Sequence, residues 1–328
     1  MKRAQVKRFG DPAEVVELVE VDEPAPAPGE ALIEVLASPI NPADLLKCRG
    51  LYGYGKSFPT LPFWGGVEGV GRIAALGDGV ANVEPGDLVP LARTDGIWGE
   101  KVVAKAALLS PLPAGVDARQ AAMVVVNPPT AELMLTDFVA LGRGDWVIQN
   151  AANSAVGHHV IRLAALKGAR TVNVVRRAEV ADALKAHGAD VVLTDGDDLM
   201  DRVKAATGGA AAKLGLDAVG GAATARIAAC LEAHGTVVNY GLLSGEDCRM
   251  PATMTVFNDI TLRGFWLPGG LGRRKPEEVA ALYARLIALI ADGTLEADIE
   301  ATYPLAQIKD ALRHAARSGR AGKVLIVP

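Results

Sequence analysis

The chain has 328 residues, of which 50% are hydrophobic and 22% charged, and its net charge is −4 with a pI near 5.8. These values are typical of a globular protein of two ordinary domains and give no electrostatic case for binding nucleic acid. No apolar run approaches the roughly 20 residues needed to span a bilayer. Three cysteines, Cys48, Cys230 and Cys248, lie far apart with no CxxC pair. With no apolar stretch behind the basic N-terminus, they favour a cytoplasmic location.

The first part of the chain is predicted to be mostly β. Its strand-like runs are short and are broken by Gly and Pro: ALIEVLAS, GVGRIAALG, GDLVPLA and GEKVVAKAALLSPLP. Near the end, a long amphipathic helix at PEEVAALYARLIALIADG precedes a strand at AGKVLIVP, which is expected to fold back onto the first domain. The sequence therefore predicts one domain from residues 1–122 and 268–328.

Residues 123–267 alternate between apolar strands and Ala/Leu-rich helices. The strands are DWVIQNAA, TVNVVRR, DVVLT, LGLDAVGG and TVVNYG, with a helix from residue 223 to 233 before the last. TLRGFWL is expected to end the sheet. This pattern predicts an α/β domain with a doubly wound, parallel sheet of the Rossmann type.

The first strand–turn–helix of this domain is the predicted dinucleotide turn, NAANSAVG at residues 150–157. A strict GxGxxG is absent, since Ala151, Ser154 and Ala155 stand where glycines often occur. Gly157 remains at the position needed for close packing of helix on strand. Small residues and the N-terminus of a helix can still hold a pyrophosphate. An ordinary tight turn is the alternative interpretation.

The next strand indicates which dinucleotide binds. An NAD site usually ends its second strand with an acid, whereas TVNVV ends in Arg176 and Arg177, with Glu179 beyond them. Two guanidiniums suit a 2′-phosphate, so the pattern favours NADPH. A solvated charged turn is the alternative.

Zinc ligands are not evident in the first domain. Asn41, Pro42 and Asp44 stand where a ligating Cys would be expected, and Val67-Glu68 replaces a His-Glu pair. None of the five histidines precedes residue 158. We therefore expect no metal, and a hydride transfer to a substrate whose own carbonyl holds the developing charge, an enone or an enoyl thioester.

Several motifs together resemble one family, the mitochondrial-type 2-enoyl thioester reductases. These belong to the zinc-independent medium-chain dehydrogenases/reductases, with the quinone oxidoreductases, and their first domain is GroES-like. The motifs are NPADL at 41–45, GLYG at 50–53, NPPTAELML at 127–135, VIQNAANSAVG, TVNVVRR, NYG at 239–241 and LRGFWL at 262–267.

The resemblance implies roles for individual residues. Tyr52 would be the active-site phenol that hydrogen-bonds the thioester carbonyl or helps deliver a proton to Cα, with Tyr54 as a competitor in YGYG. The remaining implied residues would bind the cofactor: Asn127, Asn153, Ser154, Ala155, Val156, Arg176, Arg177, Tyr240, Gly241, Leu242, Leu243, Phe265, Trp266, Leu267 and Lys323. Trp64 departs from the family pattern, and would either shorten the acyl pocket or pack outward.

The resemblance also implies a substrate and partners. The expected reaction is NADPH-dependent reduction of trans-2-enoyl thioesters of coenzyme A or an acyl carrier protein. Basic residues near 47–56 and 273–275 would meet phosphates or an acidic carrier, or simply be solvated. A homodimer is expected, since the strand near residues 260–266 would otherwise be an exposed apolar edge. A quinone or enone reductase and a non-catalytic NADPH-binding protein are the alternatives.

Overall fold

The computed structural model describes residues 1–53, 59–92 and 96–328. Tyr54, named above, and Lys56, one of the basic residues in the range 47–56, lie outside these ranges. The chain forms two compact units: unit 1 comprises residues 1–126 and 283–328, and unit 2 comprises residues 127–282. Among the described residues, no helix is long and apolar enough to cross a membrane.

Strands make up much of unit 1 and alternate with helices in unit 2. The strands are β1 Lys2–Val6, β2 Val16–Glu20, β3 Glu30–Pro39, β4 Phe63–Trp64, β5 Glu68–Leu76, β6 Leu88–Ala92, β7 Lys101–Lys105, β8 Trp146–Gln149, β9 Arg170–Val175, β10 Val191–Thr194, β11 Ala212–Asp217, β12 Leu231–Asn239, β13 Thr261–Gly264, β14 Ile299–Pro304 and β15 Lys323–Val327. The α-helices are α1 Pro12–Val15, α2 Pro42–Arg49, α3 Ala118–Ala121, α4 Asn127–Thr136, α5 Ala155–Leu166, α6 Ala181–Ala186, α7 Leu199–Thr207, α8 Ala222–Ala229, α9 Ala252–Phe257, α10 Leu267–Gly272, α11 Pro276–Ala291 and α12 Ile308–Ala316. Short 3-10 helices lie at Ala106–Leu108, Ala178–Val180 and Leu305–Gln307.

Unit 2, all of whose residues are described, is built on a six-stranded sheet in the order β10-β9-β8-β11-β12-β13. Every pairing in it is parallel. Numbered within the unit, this is the order 3-2-1-4-5-6 of dinucleotide-binding folds, so the predicted fold class is confirmed. The order reverses between β8 and β11, where ligands bind in open α/β sheets.

The central strands β8 and β9 are mostly apolar, as expected for parallel strands that are covered on both faces. All four residues of β8 are buried, as are Val172 and Val174 of β9. One predicted helix was wrong at its end: residues 231–233 belong to β12 rather than to the helix. Leu231 pairs with Ala212 in the parallel ladder, and Cys230 is the C-cap residue of α8.

Unit 1 contains two sheets among its described residues, ordered β14-β15-β3-β5-β6 and β2-β1-β4, and β7 also pairs with β3. The strand predicted at AGKVLIVP is β15, which pairs antiparallel with β3 through Leu325 and Ile326. Ile33, Val89, Leu91 and Ile97 are buried in one core cluster of this unit.

The boundaries of the two units differ from the predicted domain boundaries, which lie at 122/123 and 267/268. The boundaries of the compact units lie at 126/127 and 282/283. Contacts within unit 2 explain why α10 belongs to it: a Cβ at Gly270 would lie 2.9 Å from the Phe265 ring, and Arg274 donates to Asp137 at 2.5 Å.

Candidate cofactor and catalytic sites

The predicted dinucleotide turn connects β8 to α5 at the switch point of the unit 2 sheet. Ser154 is the N-cap residue of α5, and its Oγ accepts a hydrogen bond from Gly157 N at 3.1 Å. Its own N–H donates to Ala151 O at 2.9 Å, and Ala151 has a left-handed φ of 47°. The turn therefore presents the N-terminus of a 12-residue helix, a favourable place for an anion.

Gly157 is required by this turn. A Cβ at this position would lie 2.2 Å from Ala152 O, inside van der Waals contact. Close approach of helix and strand is the role that the sequence predicted for this glycine. The phenol of Tyr240, from the loop after β12, is buried near Ser154, and burial raises the pKa of Tyr240 above its ordinary value.

A buried carboxylate that the sequence analysis missed organises the neighbouring loops. Asp217 ends β11 and is fully buried. Five groups donate to its side chain within unit 2: Asn150 Nδ2 at 2.6 Å, Thr224 Oγ1 at 2.7 Å, Val219 N at 2.9 Å, Gly220 N at 3.0 Å and Asn239 Nδ2 at 3.3 Å. One carboxylate thus joins the segments that follow β8 and β11 to the end of β12.

The charge of Asp217 is maintained by neutral donors. Burial alone would raise its pKa, but the hydrogen bonds from Thr224, Asn150 and the backbone outweigh this effect and lower the pKa. The only sequence signal for this residue is an acid at the end of an apolar strand, LGLD.

The predicted phosphate clamp follows β9. Arg176 and Arg177 are both exposed and come directly after Val175, the last residue of the strand. The nearby acid Asp195, whose N–H donates to Val175 O, has its carboxylate held by both Nε and Nη2 of Arg226, at 2.7 and 2.6 Å. This acid is therefore neutralised, which suits a 2′-phosphate beside the arginines.

The two later cofactor loops follow β12 and β13. A Cβ at Gly241 would lie 2.5 Å from Ala218 O, so this loop also depends on close backbone approach. Leu242 and Leu243 are exposed. Phe265 is buried edge-on against Phe138, while Trp266 is exposed and is the N-cap residue of α10, which Leu267 begins. In this pair of loops, Phe265 therefore contributes to packing.

Asn127, the first residue of α4, is buried in unit 2. Its Nδ2 has no hydrogen-bond partner among the described residues. A buried amide donor without a protein acceptor is costly, and a bound ligand can satisfy it. With the α5 N-terminus and the arginines, this donor fits a nicotinamide dinucleotide.

In unit 1, Tyr52 lies just beyond α2. The helix ends at Gly50 in a left-handed conformation, and Tyr52 is half-buried. The ammonium of Lys47 lies 5.7 Å from the centroid of the Tyr52 ring. A cation within about 6 Å of a ring centroid makes a cation–π contact, which helps to fix the position of the Tyr52 ring.

A buried polar group, here called the Asn41 cluster, is formed by Asn41, Asp44, Glu68 and Lys323 of unit 1. Asn41 Nδ2 donates to Glu68 Oε1 at 2.7 Å, and Lys323 Nζ donates to Asn41 Oδ1. The other oxygen of Glu68 accepts from Val126 N at 2.9 Å. Lys323, which the resemblance assigns to the cofactor, thus contributes its ammonium to this cluster.

Burial shifts the titration of this cluster. It raises the pKa of Asp44 from 3.8 to about 6, and one Asp44 oxygen has no hydrogen-bond partner among the described residues. It also raises the pKa of Glu68 and lowers that of Lys323, against the attraction between the two charges.

The residues of the Asn41 cluster do not fit a zinc ion. Zinc sites use thiolate and imidazole with some carboxylate, whereas this cluster offers an amide whose oxygen already accepts from an ammonium. Cys48, one turn along α2, is buried in the apolar core, and burial raises its pKa to about 12. Val67 supplies no ligand atom.

Two further predicted features can be placed. Trp64 lies in β4, with the guanidinium of Arg3 stacked 4.2 Å from its ring centroid, and it also lines a small crevice with Lys47. Arg274 is engaged by Asp137, whereas Arg273 and Lys275 are exposed.

Comparisons with known proteins agree with this architecture. Residues 27–114 match the model of the alcohol dehydrogenase GroES-like domain, and residues 155–288 match the model named zinc-binding dehydrogenase. The rat mitochondrial enoyl-[acyl-carrier-protein] reductase is 37% identical over 92% of this chain and 82% of its own length. The human protein of the same name is 36% identical with the same coverage.

Solved structures are similar over the whole chain. A putative NADPH:quinone reductase from Bacillus thuringiensis has a TM-score of 0.92 and 28% identity, with 100% of this chain and 98% of that chain covered. The Etr1p complex with NADP and crotonyl-CoA has a TM-score of 0.88, 27% identity and coverage of 100% and 99%. The mitochondrial 2-enoyl thioester reductase Etr1p/Etr2p heterodimer from Candida tropicalis has a TM-score of 0.87, 28% identity and coverage of 100% and 99%.

The two matched domains, the dinucleotide-binding sheet and a donor set unsuited to zinc define a zinc-independent medium-chain dehydrogenase/reductase. Within this class the identity to the curated relatives extends over nearly the full length of the chain. The chain belongs to the family of the mitochondrial enoyl-[acyl-carrier-protein] reductases.

Proposed function

We propose that this protein reduces the C2–C3 double bond of trans-2-enoyl thioesters with NADPH. The observation that carries the proposal is 37% identity to an enoyl-[acyl-carrier-protein] reductase over 92% of the chain. A structural neighbour that holds both NADP and crotonyl-CoA supports the same substrate class.

NADPH, when bound, supplies the hydride that is added to Cβ of the substrate. The residues proposed to hold it are the turn at 153–156, the arginine pair, the loops at 240–243 and 265–267, and Asn127. The N-terminus of α5 and the arginines bind phosphates, and Asn127 Nδ2 offers its unused donor to an acceptor on the ligand.

Tyr52 is proposed to act on the substrate itself. A neutral phenol can donate a hydrogen bond to the thioester carbonyl oxygen, where negative charge develops as the hydride arrives. The Lys47 ammonium, 5.7 Å from the centroid of the Tyr52 ring, helps to hold the phenol in place. The reaction is completed when a proton is added to Cα, to which Tyr52 contributes directly or by holding the enolate oxygen.

The carrier and the quaternary structure are finer proposals. Arg273 and Lys275 are exposed and can meet the phosphates of coenzyme A or an acidic carrier protein. We propose a homodimer through β13, the last strand of its sheet, whose four residues are all exposed. Val256 and Phe257 of the preceding helix are 69% and 79% exposed, and the neighbouring Etr1p/Etr2p structure is a heterodimer.

A quinone or enone reductase is the second candidate. The similarity to a putative NADPH:quinone reductase supports it, since that chain has a TM-score of 0.92. The same hydride chemistry would then act on a free unsaturated carbonyl, and the pocket would hold a flat ring instead of a pantetheine arm.

The decisive experiment is NADPH oxidation by the purified protein with crotonyl-CoA, beside a simple quinone and an NADH control. We expect turnover of the thioester with a preference for NADPH. In the same assay Tyr52→Phe should lower kcat by about 10²-fold, the scale for losing one oxyanion donor or acid, and leave NADPH affinity unchanged. Turnover of the quinone alone would favour the second candidate, and NADPH binding without turnover would favour a non-catalytic protein. If Tyr54→Phe has the larger effect, Tyr54 is the catalytic phenol.

The phosphate clamp is tested by the double variant R176A/R177A. Loss of two guanidiniums should weaken NADPH binding by about tenfold or more and leave NADH binding nearly unchanged, because only NADPH carries the 2′-phosphate. Fluorescence titration with each cofactor measures this without turnover. An equal loss for NADPH and NADH would contradict the clamp, and R143A, an exposed arginine of the same unit, is the control.

A further inference from the structure

The acid Asp195 lies directly beside the predicted phosphate clamp of unit 2. In the parallel ladder of β9 and β10, Val175 pairs with Thr194, and each is the last residue of its strand. Asp195 N donates to Val175 O at 2.8 Å, which continues the ladder by one step. Asp195 and Arg176 are therefore neighbours at the carboxyl edge of the sheet.

A carboxylate without a partner at this place would oppose the binding of NADPH. Arg176 and Arg177 are the residues proposed to bind the 2′-phosphate. A free Asp195 carboxylate would repel that phosphate and would compete with it for the guanidinium of Arg176. NADH has a ribose hydroxyl where NADPH has the phosphate, and acids near this point commonly accept from that hydroxyl. The charge of Asp195 therefore affects the choice between the two cofactors.

Arg226 of α8 holds this carboxylate with two hydrogen bonds. Its Nε donates to Asp195 Oδ1 at 2.7 Å, and its Nη2 donates to Asp195 Oδ2 at 2.6 Å. Gly196 N also donates to Oδ1, at 3.0 Å. A planar guanidinium that engages both carboxylate oxygens fixes the acid in one orientation and offsets its charge. The side chains of Arg226 and Asp195 are 25% and 27% exposed, so solvent screens this pair only in part.

The helix that carries Arg226 is itself held in place. Thr224 Oγ1, two positions earlier in α8, donates to the buried carboxylate of Asp217 at 2.7 Å. Ile227 and Ala228 are buried in the core of unit 2. Arg226 therefore extends from a fixed helix to an acid that is 31 positions away in the sequence.

We propose that Arg226 is a specificity-determining residue that favours NADPH over NADH by keeping Asp195 paired beside the phosphate clamp. Arg226 acts through Asp195, whose charge it offsets. The proposal rests on the proposed function in one respect, the binding of the 2′-phosphate by Arg176 and Arg177.

The first test compares R226M with wild type by fluorescence titration with each cofactor. R226M should raise the Kd for NADPH by about tenfold, the scale of one uncompensated charge near the phosphate, and keep the Kd for NADH within about twofold. R226K should lie between the two, because lysine keeps the charge but lacks the paired donors. An equal loss of affinity for both cofactors would show a general structural role and overturn the proposal.

Removal of the acid together with the arginine separates charge from stability. R226M and D195N/R226M both lack the ion pair, so a difference between them comes from the Asp195 charge. The ratio of the two Kd values in D195N/R226M should return to within about twofold of wild type. D195N alone should not weaken NADPH, since it removes a negative charge. A ratio that stays raised in D195N/R226M would show that Arg226 itself binds the phosphate and would overturn the proposal.

Arg170 provides a matched control at the other end of the same strand. It is the first residue of β9, and its Nε lies 3.3 Å from Asp190 Oδ1. R170M therefore removes an arginine–aspartate pair from the amino edge of the sheet. It should leave the preference for NADPH unchanged, and a selective loss of NADPH as large as that in R226M would contradict the proposal.

The titrations distinguish failure of this inference from failure of the proposed function, since they need no turnover. Inactivity of the wild type on thioester and quinone would reject the function, while the two Kd values would still test Arg226. A preference for NADPH that is lost in R176A/R177A but is unchanged in R226M would keep the clamp and overturn this inference alone.

Discussion

The two units bury carboxylates in opposite ways. Asp217 of unit 2 receives hydrogen bonds from neutral amides and a hydroxyl, and its pKa is lowered. Asp44 of unit 1 is equally buried but has an oxygen without a hydrogen-bond partner among the described residues, and its pKa is raised to about 6. The difference shows that burial alone does not decide the charge of an acid. The number of donors aimed at it does.

The two sites also differ in whether a cation offsets the charge of the buried carboxylates. The carboxylates of the Asn41 cluster are offset by ammonium groups: Lys323 attracts both of them, and Lys47 also attracts Asp44. Among the described residues, the hydrogen bonds to the Asp217 side chain come from neutral dipoles. The hydrogen bonds to Asp217 fix three chain segments at once. The ammonium of Lys323 fixes one amide side chain, that of Asn41, and leaves the cluster sensitive to pH.

The largest expected effect is that of Asp217→Ala. Several buried donors would lose their acceptor, so we expect the free energy of unfolding to fall by about 3–5 kcal/mol at pH 7. The Kd for NADPH should rise as well, because the loops after β8 and β12 lose their common anchor. Urea unfolding and cofactor titration measure the two effects, with exposed Asp247→Ala as the control.

The difference in stability between wild type and D217A should depend on pH. Asp217 has a lowered pKa in the folded state, so its contribution is present above the ordinary value of 3.8 and is lost as the pH falls through the folded pKa. The gap between wild type and D217A should therefore narrow in acid. A gap that stays constant down to about pH 2 would contradict the dipole-stabilised charge.

A smaller effect of opposite sign is expected for Asp44→Asn. Its pKa of about 6 lies above the ordinary 3.8, so the wild-type carboxyl favours folding in acid and this contribution is lost as the pH rises through 6. Relative to wild type, D44N should therefore gain about 1–2 kcal/mol of unfolding free energy between about pH 5 and pH 8.

Asp87→Asn is a matched control for D44N. Asp87 accepts from the N–H of Glu84 at 2.8 Å, the same local geometry as in Asp44, but in an exposed turn. Chemical unfolding of both variants at the two pH values gives the comparison. An equal pH response of D44N and D87N would show that burial of Asp44 does not shift its titration.

The sequence predicted the fold class and the dinucleotide turn because both depend on local pattern. Alternating apolar strands and helices indicated the parallel sheet, and Gly157 was assigned its packing role from one strand–turn–helix. The predicted end of α8 was wrong because leucine is equally suited to a helix and a strand. The pairing of Leu231 with Ala212 places this residue in β12.

The buried clusters could not be predicted, because their members are distant in sequence. Lys323 and Asn41 are 282 positions apart, and Asn150 and Asp217 are 67 apart. Resemblance assigned Lys323 a cofactor contact, and only the three-dimensional arrangement shows its hydrogen bond to Asn41. Asp217 carried no motif, since an acid after an apolar strand is common.

The alanine at position 151 has a consequence for the entropy of cofactor binding. Its left-handed φ of 47° costs an alanine about 1–2 kcal/mol, a strain that glycine would not carry. Alanine has fewer alternative conformations than glycine, so the turn keeps less freedom in the unliganded protein. A glycine-rich turn loses conformational freedom when a ligand binds, whereas the turn at Ala151 has already lost it on folding. The unfavourable entropy change of pyrophosphate binding should therefore be smaller than in a glycine-rich turn.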